Sequence, residues 1–222
     1  MPYRKTPLVN NYFYHLLNRG VGKKPIFKTN NDYQRVLEII NFYRFPKPPL
    51  RFSYFLLLSS KDKQIFLEKI KQQKPLVEII SFCLMPNHVH LLLKQVSDKG
   101  ISLFMSNWQN SYARYFNIKY KQKGYLFEST FKAIIIEKDD LLWHISRYIH
   151  LNPSSSSLVS INNLKNYLWS SFPEYLGKIE PFFTKTDLIL SHFRGRKDYR
   201  EFVFNQAAYQ KKLQKIKSLI IE

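Results

Sequence analysis

Residues 83–93 (CLMPNHVHLLL) constrain the fold most, because they predict two paired strands with histidines at the start of the second. Pro86 and Asn87 form a turn signal between two apolar runs. Side chains alternate between the two faces of a strand, so His88 and His90 point the same way. Two adjacent imidazoles supply part of a metal site, although many such pairs are only polar residues on a solvated face.

A second stretch, residues 139–153 (DDLLWHISRYIHLNP), predicts an amphipathic helix that begins at an acidic capping residue and ends at Pro153. Tyr148 and Asn152 are four residues apart and therefore share a face of this helix. A tyrosine can act as a nucleophile through its phenolate, and an asparagine carbonyl can bind a divalent cation. The chain has 15 tyrosines, and a tyrosine on such a helix usually serves packing, so Tyr148 alone does not define a site.

The charge of the chain indicates an anionic partner, because the formal net charge is +19 and the sequence pI is about 9.9. No apolar run approaches the roughly 20 residues of a membrane span, and residues 1–10 lack the apolar segment of a signal peptide. We therefore expect nucleic acid rather than a membrane as the partner, and a cytoplasmic location. Cys83 is the single cysteine, which excludes an internal disulfide and a cysteine-based zinc site.

Hydrophobic periodicity predicts an α+β domain in which helices cover one face of a mainly antiparallel sheet, followed by a mostly helical C-terminal extension. We expect a domain over residues 1–160 and the extension over 161–222, with a serine tract at 154–157 as a linker. His15 and His150 are expected to be packed or hydrogen-bonded histidines rather than ligands. The predicted elements are strand 11–18, helix 28–45, strand 51–59, helix 61–73, the strand pair 77–93, helix 101–120, strand 131–136 and helix 139–153.

Together with several shorter motifs, the histidine stretch at 83–93 and the tyrosine stretch at 139–153 resemble one known family. The chain is similar to the REP-associated tyrosine transposases, a branch of the single-tyrosine HUH (His-hydrophobe-His) transposases of IS200-like insertion sequences. The resemblance implies a ferredoxin-like or RRM-like antiparallel sheet, with the histidine pair on a central strand and the tyrosine on a helix nearby. The motifs are NRG at 18–20, residues 83–93, GYLF at 124–127, FKA at 131–133, RYIHLNP at 147–153 and WSS at 169–171.

The family chemistry carries over to four positions of this sequence. Tyr148 would attack a DNA phosphodiester and form a covalent 5′-phosphotyrosine intermediate. His88, His90 and Asn152 would hold one divalent cation, Mg²⁺ or Mn²⁺. The resemblance also implies a single-stranded or hairpin DNA substrate and a transposase that cleaves and rejoins strands, as a monomer or a homodimer.

Six cationic side chains near these motifs are the predicted nucleic-acid contacts. They are Arg19, Arg114, Lys121, Lys123, Lys132 and Arg147.

A non-catalytic or domesticated protein that binds single-stranded nucleic acid on the same fold is the main alternative function. A metal-dependent hydrolase of small phosphates is disfavoured, because such enzymes usually need several carboxylates and the motif regions contain few.

Overall fold

A four-stranded antiparallel sheet in the order β2-β3-β1-β4 forms the centre of the computed structural model, which describes residues 7–46, 48–128, 130–207 and 210. The strands are β1 Phe13–Arg19, β2 Val77–Met85, β3 His88–Gln95 and β4 Lys132–Ile136. The helices are α1 Asn30–Tyr43, α2 Phe52–Phe55, α3 Ser60–Lys71, α4 Gly100–Lys119, α5 Asp139–Ser155, α6 Phe172–Tyr175, α7 Asp187–Leu190 and α8 Arg196–Phe204. The predicted α+β class and the central position of the histidine strand β3 are confirmed.

The two faces of the sheet carry different layers. On one face, Val89, Leu91 and Leu93 of β3 belong to a hydrophobic cluster that includes buried side chains of α1 and α4. On the opposite face, Leu92 belongs to a second cluster, formed with α5 and the C-terminal extension. The first layer matches the helix-covered face expected from the sequence. The resemblance implied that α5 lies near the histidine pair, but the packing of the extension beside it was not expected, because periodicity within a segment does not reveal which sheet face the segment covers.

The strand predicted at residues 51–59 is wrong, because the chain there forms the short helix α2 and then a turn. Phe52 and Phe55 are three residues apart, and one helical turn brings both rings against Phe42 of α1, at centroid distances of 5.3 and 5.2 Å. A strand would send these two side chains to opposite faces. Burial of both rings against α1 therefore favours the helical conformation.

Pro153 does not end α5, which continues to Ser155. Ser154 and Ser155 are buried, and the hydroxyl of Ser155 donates to the carbonyl of Leu151 at 2.9 Å. The carbonyl of Pro153 accepts hydrogen bonds from two backbone N–H groups after the helix, at 2.9 and 3.1 Å. The expected linker at 154–157 is therefore wrong in its first half, where the serines close the helix and pack in the interior.

The C-terminal extension packs on α5 and along the outer edge of β2. Isolated bridges join Cys83 to Ser170 and Ile79 to Thr184, so the extension occupies an edge that would otherwise be unpaired. The proposed boundary at residue 160 thus separates two segments that share a hydrophobic cluster. The end of the predicted helical extension, residues 211–222, lies outside the described residues, which reach α8 and Gln210.

A buried hydrogen-bond network fixes α5 to its neighbours. His150 of α5 contacts the hydroxyl of Tyr199 through Nδ1 and that of Ser171 through Nε2, both at 2.7 Å. The Tyr199 hydroxyl also lies 2.6 Å from Ser146 Oγ, and Ser171 Oγ accepts from the backbone N–H of Phe82 at 2.9 Å. Burial lowers the pKa of His150 to about 3, so the imidazole is neutral at pH 7. The network joins α5 to α8 on one side and to β2 on the other.

A second polar cluster, around Asp32, joins the start of α1 to the end of α4. The carboxylate accepts hydrogen bonds from Lys119 Nζ at 2.6 Å, from the hydroxyls of Tyr120 at 2.7 Å and Tyr115 at 3.0 Å, and from the N–H of Lys28 at 2.9 Å. Burial raises the pKa of Asp32, but the hydrogen bonds, led by that from Lys119, outweigh it and lower the pKa to about 2. The loop that follows α4 therefore starts from a fixed point.

We expect Tyr199→Phe to lower the free energy of unfolding by about 1–3 kcal/mol, because it leaves polar groups of His150 and Ser146 unpaired in the interior. Urea unfolding followed by circular dichroism measures the change. Tyr54→Phe is the matched control, since Tyr54 is 60% exposed. Equal stabilities of the two variants would contradict the role of the network.

We expect Asp32→Asn to lower the free energy of unfolding by roughly 2 kcal/mol or more, because it removes the charge that Lys119 and the tyrosines contact. The carboxylate has a lower pKa in the folded state, so its contribution is complete above about pH 4 and is lost as the pH falls towards 2. Unfolding curves of the variant should show less pH dependence in that window. The exposed Asp98→Asn is the control, and the same acid profile in all three proteins would refute the assignment.

Candidate active site

The histidine pair lies at the start of β3 on the sheet face covered by α5. His88 is opposite Arg19 of β1 and His90 is opposite Leu17, and paired residues point to the same face. The centroids of the two imidazoles are 5.0 Å apart. The chain therefore presents two neighbouring ring systems on one face, as strand alternation predicts.

The Nδ1 atom of each imidazole has a protein partner. His88 Nδ1 lies 2.6 Å from Asn87 Oδ1, an acceptor, so Nδ1 carries the proton and Nε2 keeps its lone pair. His90 Nδ1 lies 2.9 Å from His15 Nε2. In the tautomer in which His90 Nδ1 donates this hydrogen bond, the Nε2 atom of His90 also keeps its lone pair. A hydrogen bond at the second ring nitrogen is the usual arrangement of histidines that bind metals, because it orients the ring and sets its tautomer.

The environment keeps both imidazoles neutral at pH 7. Burial, reinforced by the charge of Arg19, lowers the pKa of His88 to about 4. Burial and the neighbouring His15, His88 and Arg19 hold the pKa of His90 well below its usual value. A neutral imidazole is the form that binds a cation, so both side chains are in the right protonation state for metal binding.

The packing of α5 brings Tyr148 to the histidines within one chain. Its ring is edge-on to His90, with centroids 5.7 Å apart, and to His15, with centroids 5.9 Å apart. Burial raises the pKa of the Tyr148 hydroxyl, whereas the charge of Arg19 and a hydrogen bond from Asn152 act to lower it. The phenol is thus protonated at pH 7, beside groups that favour its ionisation.

Asn152 is buried one helical turn after Tyr148, as the spacing of four residues predicts. Its amide nitrogen donates to the backbone carbonyl of Tyr148 at 2.9 Å, and Gln210 donates to the same carbonyl at 3.0 Å. The backbone of Tyr148 is therefore held by α5 and by the C-terminal extension. The role of Asn152 as a third metal ligand stays a prediction.

The predicted nucleic-acid contacts fall into three groups: two residues on the sheet, three residues on and after α4, and one residue on α5. Arg19 adjoins His88, and its Nε is buried without a hydrogen-bond partner among the described residues. Lys132 is exposed on β4, in the same row across the sheet as Leu17 and His90. Arg114, Lys121 and Lys123 are exposed on α4 and the following loop.

The third group is Arg147 alone, which faces the C-terminal extension. Its guanidinium lies 4.3 Å from the ring centroid of Phe202 and 2.8 Å from His144 Nδ1. Burial lowers the pKa of Arg147. The structure thus gives this side chain partners within the protein, and its phosphate contact stays a prediction.

Two side chains that orient the histidines had no assigned role in the sequence motifs. His15 was expected to be hydrogen-bonded, but its partner depends on the pairing of β1 with β3, which no local pattern reveals. Asn87 contributed only a turn signal, yet it contacts His88 and donates to the carbonyl of Lys23 at 3.0 Å. Its position directly before the first histidine is the one signal in the sequence that pointed to this role.

The residues that the structure describes limit which ligands the site can offer a metal. Within them, no group of three or more His, Cys, Asp or Glu side chains is arranged to hold a metal ion. A cation at the histidine pair would therefore need other oxygen ligands. No helix in the described part of the chain is long and apolar enough to cross a membrane.

Comparisons with known proteins agree with the motifs. Residues 57–152 match the family model described as "Transposase IS200 like". A search of curated proteins found no match. Among solved structures, one described as "Structure of the REP associates tyrosine transposase bound to a REP hairpin" is similar, with a TM-score of 0.52 and 16% identity over 85% of this chain and 93% of that one. The resemblance predicted from the motifs is confirmed: the chain is similar to the IS200-like transposases in sequence and to a REP-associated tyrosine transposase in fold.

Proposed function

We propose that the protein is a transposase-type endonuclease and strand transferase that cleaves and rejoins single-stranded DNA through a covalent link to Tyr148. The observation that carries this proposal is the position of the Tyr148 ring, 5.7 Å from that of His90 in the same chain. Matches to the IS200-like transposase model and to the fold of a REP-associated tyrosine transposase support the reaction class.

In the cleavage step, the oxygen of Tyr148 forms a bond to the phosphorus of a DNA phosphodiester while the bond to the 3′ oxygen breaks. The products are a 5′-phosphotyrosine link and a free 3′ hydroxyl, and the proton that the phenol loses balances the proton that the 3′ oxygen gains. Attack by a 3′ hydroxyl on the phosphotyrosine reverses the step and rejoins DNA without an external energy source. Arg19 supports this assignment, because its charge lies close enough to lower the pKa of Tyr148 and its buried Nε is unpaired among the described residues.

The chemistry of the donor set fits a divalent cation. His88 and His90 are neutral, and a neighbouring side chain orients each ring through Nδ1. We propose that their Nε2 atoms and the side-chain oxygen of Asn152 hold Mg²⁺ or Mn²⁺. When bound, such a cation polarises the phosphate and offsets the charge that develops during cleavage.

We propose that the substrate is single-stranded or hairpin DNA. The similar solved structure is described as bound to a REP hairpin, and the net charge of this chain is +19. The β1–β4 side of the histidine face is more open than the side covered by α5, since Lys132 is exposed and Ile134 is 60% exposed. An unpaired strand can bend a phosphate into a small site of this kind more easily than a duplex.

We expect Tyr148→Phe to abolish covalent adduct formation and to leave hairpin DNA binding largely unchanged, because only the nucleophilic oxygen is lost. The measurement is a denaturing gel of protein incubated with Mg²⁺ and labelled hairpin DNA. Tyr12→Phe is the control, since Tyr12 is 47% exposed and lies before β1. An adduct in Tyr148→Phe would assign another nucleophile, and tight binding without an adduct in the parent protein would support the non-catalytic alternative.

We expect His88→Ala and His90→Ala each to abolish measurable Mn²⁺ binding in titration calorimetry, because each change removes one of the two nitrogen ligands of the proposed site. His15→Ala should weaken binding by about 10- to 100-fold, since it removes the partner that orients His90. The exposed His192→Ala is the matched control. Parent-like Mn²⁺ affinity in both His88→Ala and His90→Ala would exclude this metal site.

A further inference from the structure

Tyr125 occupies an unusual position for a large aromatic side chain. It is 92% exposed, whereas its neighbours Leu126 and Phe127 are each only 8% exposed. Two buried residues thus anchor the loop directly after Tyr125, whose own ring buries almost no surface in the fold. The ring is available to a partner, and its removal should not disturb the interior.

The loop is attached to the strand that borders the histidine pair. The N–H of Val21 donates to the carbonyl of Leu126 at 3.1 Å, and the N–H of Glu128 donates to the carbonyl of Arg19 at 2.8 Å. Arg19 is the residue opposite His88. These backbone bonds hold Tyr125 next to the end of β1 at which the candidate active site lies.

The other end of the loop is attached to α4. Asn117 donates from its side-chain amide to the carbonyl of Gly124 at 2.9 Å. Gly124 has a φ of 90°, a backbone conformation that glycine adopts without strain. The residue directly before Tyr125 is therefore fixed, and the exposed ring belongs to an ordered loop.

The surface around Tyr125 is basic. Lys121 and Lys123 precede it and are exposed, and Lys23 and Lys24 are exposed in the segment whose Val21 bonds to the loop. Glu128 is the single acidic residue at positions 119–128 and 19–31, against seven lysines and arginines. An exposed aromatic ring among lysines is the combination with which proteins bind unpaired nucleotides, since lysines attract the phosphates and a base stacks on the ring.

We propose that Tyr125 is a stacking platform for one unpaired base next to the phosphate that Tyr148 attacks. The proposal rests on the function proposed above and adds a specific subsite to it. A duplex cannot use this ring, because its bases are already stacked on one another. The lysines contact the backbone of the same strand and give no preference among bases.

The test uses the full chain with Tyr148→Phe, so that binding is measured without cleavage. The probes are a hairpin DNA with a single-stranded flank and the same hairpin with a blunt end, and 2-aminopurine replaces each flank base in turn. We expect stacking on Tyr125 to quench the 2-aminopurine fluorescence at one flank position. Adding Tyr125→Ala should remove that quenching and weaken binding of the flanked hairpin by at least about fivefold, whereas Tyr125→Phe should preserve both.

Tyr54→Ala is the matched control, since this tyrosine is exposed on α2, a different element of the fold. The blunt hairpin should bind equally to the Tyr125→Ala protein and to its parent. Parent-like affinity of Tyr125→Ala for the flanked hairpin, or an equal loss on both hairpins, would overturn the subsite alone. A parent protein that binds neither hairpin would overturn the proposed function as well. Adduct formation by the wild-type chain distinguishes the two failures, because it shows that the proposed function holds even where the subsite fails.

Discussion

The packing of α5 against the histidine face of the sheet is the interaction on which the candidate site depends. Ile149 and Leu151 are fully buried in the same cluster as Cys83 and Leu92 of the sheet. Hydrophobic burial is not directional, so it brings the helix to the sheet without specifying its rotation. The hydrogen bonds of His150 are directional, and they set the orientation that turns Tyr148 towards His90.

The same burial tunes the chemistry of the side chains that it brings together. An imidazolium loses solvation in the interior, so the histidines of the pair remain neutral, and each keeps a lone pair on one ring nitrogen. Burial also keeps the Tyr148 phenol protonated in the resting protein, while Arg19 supplies positive charge beside it. One physical effect, burial, thus sets the protonation states of both the imidazoles and the phenol.

The two faces of the sheet have different roles. The face covered by α1 and α4 holds the larger hydrophobic cluster, and the Asp32 network adds a polar connection between those helices. The other face combines hydrophobic packing with the polar groups of the site. The extension closes the β2 side of that face, whereas the β4 side remains open, so the candidate site is accessible from the side of Lys132.

Local patterns in the sequence determined the features that depend on one segment alone. Strand alternation determined that His88 and His90 share a face, and helical spacing determined that Tyr148 and Asn152 do. The tertiary structure decided how the segments combine: that His15 reaches His90, that α5 covers the histidine face, and that Pro153 lies within a helix. Residues 51–59 show the reason, because their conformation follows from burial against α1, and contacts between distant segments are not encoded in the periodicity of either segment.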